Sequence, residues 1–209
     1  MKITSIPIEI VLPEPKVPRS QGIHVSNIIR CIAASTGILK PSWAEELSLW
    51  DVRTITDPTA IIRISIGLAW EQYYIPEILG PLMGVVDHPG EMEVDGIYMT
   101  HDGESVSVII TDNAHPTTVV VHEVKATYKS VKTVGDLRGQ WMWLAQLMAY
   151  CKGRGTRVTM LHVLFLCGTY IFPITPELRC WRIEFTEEEI ERNWEMLMRY
   201  VEHSKEMGV

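Results

Sequence analysis

The chain has 209 residues, of which 46% are hydrophobic and 22% charged, and its formal net charge is -7. This length suits one buried core, so we expect an extended N-terminal arm over residues 1–22 and a single domain over residues 23–209. The four widely spaced cysteines argue against a disulfide framework and favour a reducing, cytoplasmic setting. No apolar run reaches the ~18 to 20 residues of a membrane span, which excludes membrane spanning.

The acidic balance argues against a nucleic-acid partner, but the charges are unevenly distributed. Residues 125–157 contain a single acid, Asp136, among seven basic residues: Lys125, Lys129, Lys132, Arg138, Lys152, Arg154 and Arg157. Such a segment produces a local basic field inside an acidic protein. The alternative is that these side chains are an ordinary solvated surface.

Predicted elements in the first half of the chain begin after the arm, whose four prolines favour an extended conformation. Ser26 is the expected N-cap of a first helix, and spaced apolar residues predict a second helix from Pro58 to Leu79. Three strands should follow, Met92 to Met99, Ser105 to Thr111 and Thr118 to Ala126, with the sequence HDGE at 101–104 as a turn. This order predicts an antiparallel meander.

The second half predicts a helix, two strands and a last helix. The segment GDLRGQWMWLAQLMAYCKG carries an apolar stripe from Leu137 to Cys151, and Gly153 and Gly155 should end the helix. The apolar run RVTMLHVLFLCG is typical of a strand covered on both faces. A strand from Cys180 to Phe185 then leads to a capping box at Thr186. The whole order predicts an α/β fold with a central mixed β-sheet flanked by helices.

The segment VVVHEVKATY places a carboxylate and an ammonium group in a strand that should be buried. Glu123 and Lys125 are two residues apart and therefore share one face of the strand, whereas Val124 faces the other way. One interpretation is a structural ion pair. Buried pairs seldom add net stability, however, because desolvation of both charges offsets their attraction. A functional site is favoured if further acids converge on the pair.

Two further acids are candidates for the same site. Asp95, in EMEVDGIYM, is either a turn aspartate of an Asp-Gly pair or an inward carboxylate on a strand bend, and we favour the bend. Glu71, in IGLAWEQYY, is either a solvent-facing helix residue or a third site acid. Converging carboxylates repel one another unless a divalent cation lies between them. An all-oxygen set favours Mg2+ or Mn2+ over zinc.

These residues together resemble the PD-(D/E)XK nuclease superfamily. Asp95 followed by Glu123-Val124-Lys125 is similar to its D…(D/E)xK signature. The segment QLMAY, with Gln146 and Tyr150, resembles the QxxxY motif of the RecB and lambda-exonuclease branch, and Glu71 resembles that branch's upstream acid. The resemblance covers roughly residues 23–166, although Val94 stands where the family name has proline. It implies a restriction-endonuclease-like core.

The resemblance also implies roles for individual residues. Glu71, Asp95, Glu123 and the backbone carbonyl of Val124 would bind Mg2+ or Mn2+. Lys125 would orient and help deprotonate the attacking water. Gln146 and Tyr150 would position the phosphate or the water. The remaining expected contacts with nucleic acid come from four residues: Lys129, Lys132, Arg138 and Trp143, the last of which either stacks on a base or packs against the sheet.

The implied function is a metal-dependent DNA exonuclease of recombination, repair or end processing, acting on linear or single-stranded ends. An endonuclease, an inactive nucleic-acid-binding module and a non-nuclease α/β protein are the alternatives. The resemblance leaves open a homo-oligomer, and a host cytoplasm if the chain is phage-encoded. Some RecB-type nucleases hold an iron-sulfur cluster. The spacing of Cys151, Cys167 and Cys180 does not match one, so we expect no cluster and interpret these three cysteines as core residues.

Overall fold

The computed structural model describes residues 22–38, 58–108 and 117–206. The predicted arm, except Gly22, and the loop TDNAHP therefore lie outside the described residues. The described part is an α/β structure in which helices flank mixed β-sheets, as predicted. None of the helices in these three ranges combines the length and hydropathy needed to cross a bilayer.

The helices are α1 Val25–Ser35, α2 Pro58–Tyr74, α3 Gly80–Met83, α4 Val131–Val134, α5 Trp141–Arg154 and α6 Glu187–Glu206. A π-helical turn, Ile75–Leu79, joins α2 to α3, so the predicted second helix is confirmed and continues further. The prediction of Ser26 as the N-cap is wrong, because α1 begins at Val25 and its N-cap is His24. Helix α5 includes Gly153 and ends at Gly155, which takes the left-handed conformation at φ 61°.

The strands are β1 Ile23–His24, β2 Val86–Asp87, β3 Met92–Val94, β4 Ile97–Met99, β5 Gly103–Val108, β6 Thr117–Thr127, β7 Val158–Phe165 and β8 Glu177–Glu184. The larger sheet has the order β2-β5-β6-β7-β8, and the smaller sheet has the order β1-β4-β3. Strands β6 and β7 run parallel, whereas every other pair in the larger sheet is antiparallel. The sheet is therefore mixed, as predicted.

The segment from Met92 to Met99 is a hairpin, so the prediction of one bent strand is wrong. Met92 pairs with Met99 and Val94 with Ile97 across a two-residue turn. Asp95 and Gly96 form this turn, with positive φ angles of 51° and 78°. Both central residues of a type I′ turn require such angles, which explains the Asp-Gly pair. The predicted meander also fails, because the hairpin and β5 belong to different sheets.

Three buried clusters cover the sheets and hold α5 in place. Ala145 and Ala149 of α5 pack toward α1 and α6, whereas Leu147 and Cys151 pack toward β7. A third cluster lies under α2 and contains Val124. Because α5 is buried on two sides, it presents its remaining side chains to the end of β6 at a fixed position.

The predicted capping box at the start of α6 is confirmed. The Glu189 N–H donates to Thr186 Oγ1 at 3.2 Å, and the Thr186 N–H donates to Glu189 Oε2 at 2.8 Å. The interpretation of Cys151, Cys167 and Cys180 as core residues holds for Cys151 alone, because Cys167 is half-buried and Cys180 is exposed on β8. No disulfide joins the four cysteines, all of which lie within the described ranges.

Candidate active site

Strand β6 places Glu123 and Lys125 together on one face, as its alternation predicts. Lys125 Nζ donates to Glu123 Oε1 at 2.5 Å and to Gln146 Oε1 of α5 at 3.3 Å. Glu123 is only 3% exposed. Burial raises the pKa of Glu123, and the Lys125 charge opposes that rise. Burial lowers the pKa of Lys125, but nearby carboxylate charges outweigh it and leave this pKa above its ordinary value.

Asp102 is the second carboxylate at this centre. It directly precedes β5, and its Oδ2 accepts a hydrogen bond from the Val124 N–H at 2.7 Å. Burial, followed by the charges of Glu123 and Glu71, raises the pKa of Asp102 well above its ordinary value. The next residue, Gly103, must lack a side chain, since a Cβ there would stand 2.7 Å from Val85 Cγ1. The prediction of a turn over all of HDGE is wrong, because Gly103 and Glu104 already belong to β5, and the Asp102 carboxylate reaches β6 from the bend before that strand.

Asp95 does not reach this centre. It lies in the exposed turn of the β3–β4 hairpin, where its Oδ2 accepts a hydrogen bond from Trp194 Nε1 at 2.8 Å. Its charge is not among the largest causes of the pKa shifts of Glu123, Asp102 and Lys125. The placement of Asp95 at the site is thus corrected, because the hairpin turn directs its carboxylate toward α6.

Glu71 approaches the centre from α2 and is held by a histidine. His88 Nε2 lies 2.8 Å from Glu71 Oε1, and His88 Nδ1 lies 2.5 Å from Asp87 Oδ1. The His88 N–H also donates to the Asp102 carbonyl at 3.0 Å, and its φ is 46°. The hydrogen bond to Glu71 raises the pKa of His88, although burial opposes this. The Asp87–His88 pair therefore fixes Glu71 beside Asp102, which directly precedes β5.

Gln146 and Tyr150 lie one turn apart on α5 and contact each other, and Gln146 also contacts Lys125. Gln146 Nε2 donates to Tyr150 Oη at 2.5 Å, while Gln146 Oε1 accepts from Lys125. The buried His101 ring lies 5.9 Å from the Tyr150 ring, and His101 Nε2 lies 3.2 Å from Glu104 Oε2. Both residues of the QxxxY pattern are therefore part of the same contact network as Lys125.

The predicted nucleic-acid-binding residues follow the end of β6. Lys129, Lys132 and Arg138 are exposed. Lys129 Nζ donates to Gln140 Oε1 at 2.9 Å and lies 5.4 Å from the centre of the Trp143 ring. Trp143 packs against the buried cluster between α5 and β7. The three cations are thus accessible, whereas Trp143 supports Lys129 from the protein side.

The donor set has the chemistry, but not the spacing, of a site for a hard divalent cation. Its atoms are carboxylate oxygens of Glu71, Asp102 and Glu123 with the Val124 carbonyl, which are the ligands that Mg2+ and Mn2+ prefer. Glu123 Oε2 is buried without a hydrogen-bond partner among the described residues. Glu123 is paired with Lys125, Glu71 with His88, and Asp102 with the Val124 N–H. No group of three or more acidic, His or Cys side chains in the described ranges has metal-coordination spacing.

Sequence reasoning missed Asp102, Asp87 and His88. The Asp-Gly pair at 102 carried the same local signal as the pair at 95. Had the Asp-Gly pair between two short alternating apolar segments been interpreted as a hairpin turn, Asp95 would have been assigned to that turn and Asp102 would have remained as the candidate. The contact between His88 and Glu71 has no comparable signal, because it depends on how α2 packs beside β2.

Solved structures share this fold at low sequence identity. The alkaline exonuclease LHK-Exo from Laribacter hongkongensis is 10% identical, with a TM-score of 0.53 and coverage of 89% of each chain. Its complex with dAMP is 12% identical, with a TM-score of 0.54 and the same coverage. A phage-related exonuclease from Haemophilus somnus 129PT is 10% identical, with a TM-score of 0.52, covering 90% of this chain and 96% of that one. No protein-family model matches the chain, and no curated protein matches it.

Proposed function

We propose that the protein is a metal-dependent DNA exonuclease that hydrolyses phosphodiester bonds at linear or single-stranded ends, in recombination, repair or end processing within the cytoplasm. The observation that carries this proposal is that the half-buried Asp102 is hydrogen-bonded to β6 at Val124, where the charges of Glu123, Glu71 and Lys125 all act on it. The shared fold with three exonuclease structures supports it. The dAMP in one of those structures supports a nucleotide ligand.

In this proposal Asp102 replaces Asp95 in the ligand set. Asp102, Glu123 and the Val124 carbonyl would hold the cation, with Glu71 bound directly or through water. When bound, Mg2+ or Mn2+ lowers the pKa of a water molecule and stabilises negative charge on the phosphate. His88 would keep the Glu71 carboxylate directed at the centre, as the partners of metal ligands do.

Lys125 and α5 would place the reacting groups. The pKa of Lys125 lies above its ordinary value, so its side chain is an ammonium group at neutral pH. An ammonium group cannot accept a proton. Lys125 would therefore orient the attacking water and stabilise charge on the phosphate. Gln146 and Tyr150 contact this ammonium network and would position the scissile phosphate. Lys129, Lys132 and Arg138 would bind phosphates without reading sequence.

The test compares four labelled substrates: linear duplex DNA, closed circular DNA, single-stranded DNA and RNA. Each is incubated with Mg2+, Mn2+ or EDTA, with wild-type protein or Lys125→Ala. We expect loss of linear and single-stranded DNA from the ends, abolished by EDTA and by the substitution. Cutting of closed circles would identify an endonuclease. If no substrate is cleaved under any of these conditions, the enzyme assignment is wrong and a binding module remains.

A further inference from the structure

Two cation–aromatic pairs lie immediately beyond the strand that carries Glu123 and Lys125. Strand β6 ends at Thr127, and the next residue, Tyr128, is 38% exposed. The Arg63 guanidinium of α2 lies 5.6 Å from the centre of the Tyr128 ring. Lys129 makes the second pair, with Trp143. Each of the two residues that follow β6 thus belongs to a cation–aromatic pair.

Tyr128 lies close to the proposed reaction centre. It follows Lys125 by three residues of extended chain, which separates their backbones by about 10 Å. Arg63 precedes Glu71 by about two turns of the same helix, or about 12 Å. Both members of the pair are thus connected by rigid elements to residues of the acidic site.

The two rings differ in what they can offer a ligand. Trp143 packs against the buried cluster, and Lys129 stands over it, so its contacts are made within the protein. Tyr128 belongs to the exposed residues and is followed by the exposed Lys129. An aromatic ring beside basic side chains is the arrangement that binds single strands, because every base has a π-face and the cations bind the backbone. A cation over the ring also holds it in one orientation.

We propose that Tyr128, held by Arg63, is a stacking platform for an unpaired base of single-stranded DNA, and that Lys129 binds an adjacent phosphate. This inference rests on the proposed function and names its substrate as a strand with unstacked bases near the cleavage point. Stacking on Tyr128 is tolerant of sequence, so the platform would accept any base.

Binding in EDTA tests the platform apart from cleavage. The affinity of a fluorescein-labelled short oligothymidylate is measured by anisotropy for wild type, Tyr128→Ala and Tyr128→Phe. The matched control is Tyr73→Ala, which removes a tyrosine of α2 that is 55% exposed. We expect Tyr128→Ala to weaken binding by about fivefold or more, since one stacked base contributes at least about that factor. Tyr128→Phe and Tyr73→Ala should bind as wild type does.

An oligonucleotide with abasic sites separates stacking from general loss of structure. Wild type and Tyr128→Ala should bind this backbone equally, and the salt dependence of the two proteins should be the same, because tyrosine neutralises no phosphate. Lys129→Ala should instead reduce the salt dependence. Equal affinity of wild type and Tyr128→Ala for oligothymidylate would overturn the platform, as would an equal loss on the abasic strand.

The platform and the proposed function fail in different measurements. Platform-dependent binding without cleavage in Mg2+ would leave the stacking inference in place and overturn the nuclease. If the protein cleaves DNA but Tyr128→Ala binds DNA as tightly as wild type, the nuclease assignment stands and the stacking inference is overturned.

Discussion

Strand β6 carries polar side chains on both of its faces. Their hydrogen bonds are completed within the protein on one face and are left incomplete on the other. On the histidine face, defined by His122 and His162, His122 Nε2 lies 2.8 Å from Ser105 Oγ, and His122 Nδ1 lies 3.1 Å from His162 Nε2. His162 Nδ1 in turn lies 3.1 Å from Cys180 Sγ. Burial lowers the pKa of both histidines to about 4. These neutral side chains thus satisfy one another's hydrogen-bonding groups.

The acid face, defined by Glu123 and Asp102 with Lys125, is left incomplete. Burial raises the pKa of both carboxyl groups, and each lies in the field of other acids. Glu123 Oε2 has no hydrogen-bond partner within the described residues. The comparison teaches that burial alone does not mark a site. A buried charged group without its full set of hydrogen bonds does mark a site, because burying it costs free energy that a bound ligand can offset.

The largest expected effect separates the two aspartates that precede glycine. Asp102→Asn should lower DNA cleavage by about 10³-fold, as removal of one preorganised charged group does. Asp95→Asn should keep the wild-type rate, because its carboxylate faces Trp194 and not Glu123. Rates of end release from labelled linear DNA in Mg2+ measure both. If Asp95→Asn lost activity and Asp102→Asn kept the wild-type rate, Asp95 would belong to the site and Asp102 would not belong to the acid face.

This pair also shows where sequence reasoning stopped. The alternation of β6 correctly put Glu123 beside Lys125, and the four-residue spacing correctly put Gln146 beside Tyr150, since both are properties of a single element. The choice between Asp95 and Asp102 depended on which strands pair. Local sequence specifies such pairing weakly, and only the Asp-Gly hairpin signal contained the answer. His88 reaches Glu71 through packing between α2 and β2, which no local pattern encodes.

The two faces should respond to acid with opposite signs. An unfolded histidine binds its proton near its ordinary pKa of 6.5, whereas His122 and His162 do so at about 4 in the folded protein. Between these values the unfolded state binds more protons, so stability falls as pH falls, by about 1.4 kcal/mol per pH unit for each histidine. Asp102 has a raised pKa when folded, so the folded state binds its proton first and stability rises as pH falls.

Urea unfolding in EDTA between about pH 7 and about pH 5 measures these slopes. His162→Gln should flatten the loss of stability on acidification, and Asp102→Asn should steepen it. His88 and His101, whose pKa values are raised and lowered respectively, are present in all three proteins, so their contributions cancel in the comparison. Equal slopes in wild type and His162→Gln would show that the histidine face does not stay neutral.

Added Mg2+ should stabilise the protein through the acid face alone. At a concentration about tenfold above its Kd, a ligand that binds only the folded state adds about 1.4 kcal/mol to the free energy of unfolding. The gain should appear in wild type and His162→Gln and should disappear in Asp102→Asn. Unfolding midpoints with and without Mg2+ measure it. An identical gain in Asp102→Asn would place the cation elsewhere.

The smallest expected effect is a gain of stability on removal of a site residue. At mildly alkaline pH without metal, Asp102 is held close to the Glu123 and Glu71 charges, which raise its pKa and oppose its ionisation. Asp102→Asn keeps the shape and removes the charge, so the free energy of unfolding should rise by about 1 kcal/mol. Asp95→Asn should stay within about 0.5 kcal/mol of wild type, as surface substitutions do. A structural aspartate would lose stability on the same change, whereas a residue retained for a ligand gains it. Loss of stability in metal-free Asp102→Asn would therefore count against a ligand role.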